Sequence, residues 1–108
     1  MSQKKLILIE LNEINFDLAK KYKEENFKSF NIIYDNILNT ESELEYHNLE
    51  PWIQWVSVHT GLSAANHNVF RLGDIVNNKH LEQIFEFLES KGLKVGCISP
   101  MNAINKLN

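Results

Sequence analysis

Within residues 50–70, EPWIQWVSVHTGLSAANHNVF, stand both tryptophans of the chain and two of its four histidines, together with three hydroxyl side chains. Hydroxyls next to imidazoles suggest nucleophilic catalysis, in which a ring nitrogen takes the hydroxyl proton and a carboxylate orients the ring. Ser57, His59 and Asp74 can be drawn as such a triad, but nothing in their spacing selects it. Imidazoles also bind metals. His59 and His67 lie eight positions apart, which matches no compact zinc motif, and Cys97 is a single distant thiol. Glu10, Asn12 and Glu13 form a second polar group, directly after the apolar run KLILIEL, where a metal or phosphate site would suit the carboxyl end of a strand. The plainer reading is that they are polar residues starting a loop. Ser99, Pro100, Met101 and Asn102 repeat the pattern after a second apolar run.

The elements that would position these groups can be read from periodicity. Residues 5–11 form a continuous Ile/Leu run, expected to be a strand buried on both faces. Asn15 is expected to cap a helix whose stripe is Phe16, Ala19 and Tyr22, with Asp17 in the first turn. Residues 27–38 fit a helix through Phe27, Phe30, Tyr34 and Ile37, with an end that also suits extended chain. Residues 40–49 read as a loop. Pro51 suits the first position of a helix. Trp52, Trp55, Val56 and His59 share one face of that helix and are expected in the core, and Gly61 ends it. Residues 62–78 read mostly as loop. Leu81, Ile84, Phe85 and Leu88 predict a helix over 79–91, stopped by Gly92. Residues 93–99, LKVGCIS, are expected to be a second strand, closed by Pro100.

Strand, helix, an uncertain segment, two helices and a strand predict an α/β fold, part of a three-layer α/β/α sandwich with parallel strands. Residues 1–108 then form a single domain. Two strands make a poor sheet, so the sequence reads as the incomplete N-terminal part of a larger one. A net charge of −3 with interspersed signs gives no basic stripe, so nucleic acid is not the expected partner. No apolar run approaches the ~20 residues of a membrane span. The single cysteine fits a reducing cytoplasm. Neither a GxGxxG fingerprint nor a phosphate-cradling P-loop is present.

The segment TGLSAANHNVF, residues 60–70, resembles the TG-x-x-P-x-x-HG segment of the alkaline phosphatase-like superfamily of phosphodiesterases, nucleotide pyrophosphatases and sulfatases. LILIELNEINFDL, residues 6–18, is similar to that superfamily's first strand and turn, and GLKVGCIS to its next core strand. The resemblance implies an α/β/α sandwich that acts on phosphate or sulfate esters. Two metal ions, often zinc, would clamp the attacked group beside a Thr, Ser or modified Cys nucleophile. The metal-binding Asp of the first strand falls on Asn12, a neutral ligand, with Glu10 or Glu13 as substitutes of shifted geometry. His67 matches the HG histidine, and Asn68 replaces its glycine. Thus Glu10, Asn12 and His67 are the candidate metal residues. The nucleophile, nine positions before Thr60, falls on Pro51, which carries no attacking atom. Ser57 and Thr60 are the remaining hydroxyl candidates, at positions that support the helix in the family. The resemblance therefore implies a chain inactive on its own and without a cofactor of its own. The alternative is a small non-catalytic α/β module that pairs with itself or a second chain through an exposed sheet edge.

Overall fold

The computed structural model describes residues 5–25, 27–38, 40 and 43–108. Its elements are α1 (Phe16–Glu24), α2 (Lys28–Asp35), α3 (Pro51–Thr60), α4 (Ala64–His67) and α5 (Ile84–Ser90), with 3-10 turns at Tyr46–Asn48 and Asp74–Asn77. The chain divides into two compact units, residues 1–41 and 42–108.

The expected α/β sandwich with parallel strands is not what forms: no strand occurs among the described residues. Residues 5–11 have neither a ladder partner there nor an apolar face against them. Leu6 is 85% exposed and Ile7 80%. Residues 93–99 follow the same course, with Ile98 95% exposed. A strand depends on hydrogen bonds to a neighbour, so apolar composition alone does not make one.

In the first unit, Asn15 caps α1, its side chain accepting the Leu18 N–H at 2.9 Å. Asp17 in the first turn and Lys21 and Lys23 in the last suit the helix dipole. The ambiguous segment 27–38 resolves as α2. An aromatic cluster joins the two helices: the Tyr22 ring meets Phe27 edge-on at 5.4 Å and Phe30 at 5.2 Å. Lys23 adds an ion pair with Asp35 and lies over the Tyr34 ring.

The second unit is built around α3. Pro51 opens it, its fixed φ already helical and its missing N–H costing nothing in the first turn. Gly61 closes it in the left-handed conformation (φ 68°), its N–H returning to the Ser57 carbonyl at 2.8 Å. The buried face of α3 is Ile53, Val56 and His59. Trp52 and Trp55, expected in the core, are only partly buried and flank this face. Trp52 spends its indole N–H on the Phe70 carbonyl, and Trp55 stacks on His59 at 5.9 Å. Val56 joins Val69, Ile75 and Leu81 in the core, with Ile104 packed against them.

The segment 62–78, expected as mostly loop, contains α4 and the 3-10 turn Asp74–Asn77. The helix expected over 79–91 begins later, at Ile84. Gln83 and Glu86 form a capping box there, each side chain taking up the other's backbone N–H. Leu81 thus reaches the core from the irregular chain before the helix.

Candidate functional site

Ser57 and His67 meet where α3, the Gly61 turn and α4 fold back on each other. Ser57 lies one turn before the end of α3, and His67 is the last residue of α4. Asn68 follows in the left-handed conformation (φ 55°), a backbone state that asparagine tolerates better than most residues. Two reversals, at Gly61 and Asn68, therefore carry the chain from the hydroxyl on α3 to the buried imidazole. The Ala64 N–H at the start of α4 is taken by the Glu43 carboxylate at 2.9 Å.

Both nitrogens of the His67 ring have partners. The Val69 N–H donates to Nδ1 at 3.0 Å, and Nε2 lies 3.0 Å from Ser57 Oγ. A backbone N–H can only donate, so Nδ1 is an acceptor and carries no proton. In the neutral ring the proton then sits on Nε2 and is donated to Ser57 Oγ. A general base needs the reverse polarity, with Nε2 accepting the serine proton and Nδ1–H held by a carboxylate. The pair is thus arranged to hold α3 to the turn rather than to create a serine nucleophile. Burial holds the His67 ring below the ordinary histidine range, and the Glu43 charge offsets this only in part. The neutral ring is the resting form at neutral pH.

Thr60 is similarly engaged. Its hydroxyl donates to the Val56 carbonyl at 2.7 Å and accepts the Leu62 N–H at 3.3 Å. His59 is buried between Trp55 and the Phe85 ring, whose centroid is 5.0 Å away, so the ring partner of Ser57 is His67. Glu10 and Asn12 belong to the first unit, His67 to the second. Glu13, just beyond, has a left-handed backbone (φ 56°). Among the described residues, no group of three or more His, Cys, Asp or Glu is arranged to hold a metal ion. Nor is any helix there long and apolar enough to cross a membrane.

Two residues position this region in roles that the sequence did not reveal: Gln83, and Asn102, which stood only in the polar group after the second apolar run. Asn102 is buried with φ 49°. Its amide donates to the Trp52 carbonyl at 2.7 Å, and its oxygen accepts the Gly73 N–H at 2.9 Å. Gln83 pairs both amide atoms with the backbone of Ile104, at 2.9 and 3.0 Å. Glu86 three residues after Gln83 supplies the second half of a capping-box pattern, but glutamine stands where the pattern has Ser or Thr. For Asn102 only its place just after Pro100 hinted at a turn. An open pocket of about 410 Å³ lies elsewhere, lined by Phe85, Cys97, Pro100, Ile104 and Leu107 among others.

No protein-family model, curated protein or solved structure matches the chain.

Proposed function

We propose that residues 50–70 are a non-catalytic counterpart of the nucleophile helix and following turn of an alkaline phosphatase-like protein acting on phosphate or sulfate esters. One observation carries this reading. Both glycine positions of the resembled TG…HG pattern, Gly61 and Asn68, have left-handed backbones, and the histidine between them is tied back to α3. Glycine is the default at such positions, and asparagine is its commonest substitute. The pattern is thus supported as a backbone device as well as a string of letters. Pro51 stands at the nucleophile position without an attacking atom, and the Ser57 and Thr60 hydroxyls are committed to hydrogen bonds. On this reading the chain alone does not hydrolyse these esters. Any metal affinity conferred by Glu10, Asn12 and His67 is weak, because a tight zinc site needs three or four converging, correctly charged ligands.

Assays on an activated aryl phosphate, an aryl phosphodiester and an aryl sulfate, with zinc present, test the reading alongside calorimetric titration with zinc. The expected result is no turnover and no tight binding. Turnover abolished by Glu10→Ala, with tight zinc binding, would overturn it.

The second reading, a non-catalytic module that associates with another chain, is favoured by the exposure of Leu6, Ile7, Leu8 and Ile9, four consecutive apolar residues. Sedimentation over a range of concentrations tests self-association. A compact monomer at the highest concentration would count against self-pairing.

A further inference from the structure

Resting on the second reading, of an associating module, we propose that residues 5–11, KLILIEL, pair as an antiparallel β-strand with the same segment of a second copy of this chain, Lys5 of each copy facing Glu10 of the other. Leu6, Ile7, Leu8, Ile9 and Leu11 are each exposed by 60% or more, and no helix includes them. No strand ladder runs along this segment among the described residues. The run is rich in Ile and Leu, has no proline or glycine, and its two charges cancel, which is the composition of segments that pair with themselves. Odd and even positions are both apolar, so either face of a strand made from it gains by being covered.

The two charges select the partner and the register. They stand at opposite ends of the apolar run. Antiparallel pairing that sets Ile7 opposite Leu8 also sets Leu6 opposite Ile9 and Lys5 opposite Glu10. Each pair of copies then gains two cross-strand contacts between opposite charges. Parallel pairing in register instead stacks lysine on lysine and glutamate on glutamate. An antiparallel slip of one residue sends Lys5 and Glu10 to opposite faces of the sheet. A slip of two sets Lys5 against Leu8 or Asn12. The other apolar run, residues 93–99, is a poorer partner. Its one charge, Lys94, answers Glu10 but not Lys5, and Gly96 weakens a strand. A second copy of residues 5–11 answers both ends.

Sedimentation of the full chain over a range of concentrations, with infrared spectra of the same samples, provides the test. Mass above the monomer and the amide signal of antiparallel strands are expected to rise together. Lys5→Glu and Glu10→Lys each turn two attractive contacts into repulsive ones, so each variant alone should need about tenfold more protein to associate. Mixed in equal amounts, the two variants meet with opposite charges at both ends and should associate as the parent does. The double variant, Lys5→Glu with Glu10→Lys, should pair with itself and be excluded from the parent, as read by energy transfer between labelled chains. It decides the matter should a single variant fail to fold, and free mixing with the parent overturns the pairing. Association that ignores the swaps, that the mixture does not restore, or that brings no strand signal overturns the pairing and leaves the associating module standing. A parent that stays monomeric at the highest concentration overturns the pairing and self-association together.

Discussion

The side-chain amide of Asn102 donates to the Trp52 carbonyl at 2.7 Å, joining the first turn of α3 to a position fifty residues later. The same side chain accepts the Gly73 N–H and donates a longer bond to the Arg71 carbonyl. One buried amide thus fixes where α3 begins relative to the turn after Phe70. Two pieces of irregular chain, around Arg71–Gly73 and Asn102, meet the start of α3 without a ladder.

Asn102→Ala leaves the Gly73 N–H without its side-chain partner and the Trp52 carbonyl with its helical bond alone. The expected loss is about 2 kcal/mol, the usual cost of partly buried groups left unsatisfied. Urea unfolding measures it. Near-ultraviolet circular dichroism of the folded variant should also change, because the environment of Trp52 shifts with its carbonyl.

Ser57→Ala removes the acceptor of the His67 Nε2–H. A loss of about 1–3 kcal/mol is expected, because the ring is buried and cannot turn to water. Thermal melts at constant pH provide the measurement, and an unchanged melting temperature would show that the contact contributes nothing.

Gly61→Ala costs about 1 kcal/mol through the left-handed backbone alone. An added Cβ would meet no atom within 4 Å, so no steric term is mixed in. Asn68→Gly is the complementary substitution, at φ 55°, and should stay within about 0.5 kcal/mol of the parent. Chemical denaturation of both variants, side by side, tests whether the two turns share one backbone requirement.

Burial pushes the Glu86 carboxyl upward, but the N–H groups of Gln83 and of Glu86 itself, with Lys106 at 3.2 Å, outweigh it and hold the group below the ordinary glutamate value of 4.5. The unfolded chain therefore binds this proton more readily than the folded one. The stabilisation is fully present above that ordinary value and is lost as pH falls through the lowered folded value. Glu86→Gln should flatten this acid limb, as read from denaturation midpoints across the range.

His67 contributes a separate limb nearer neutrality, again from a lowered folded value. Stability from the neutral ring is complete above the ordinary histidine value of 6.5 and declines as pH falls through the folded one. Melting temperatures of the parent should fall in that window, and those of His67→Asn should not.

The sequence by itself determined the local punctuation. Asn15 as a cap, Pro51 as a helix start and Gly61 as a stop each act within a turn of their own position, and each stands where the spacing placed it. So did the existence of α2, despite its ambiguous end. Tertiary structure decided everything that needs a distant partner. KLILIEL and LKVGCIS have strand composition, but pairing is a property of two segments, and neither finds a neighbour among the described residues. The helix expected from residue 79 yields its first turns because Leu81 packs into the core and Gln83 turns to Ile104. Ser57 has three histidines within ten residues, His47, His59 and His67, and only the reversals at Gly61 and Asn68 select His67. The polarity of that contact lies further still from the sequence: it depends on which backbone N–H reaches Nδ1, and Val69 supplies it.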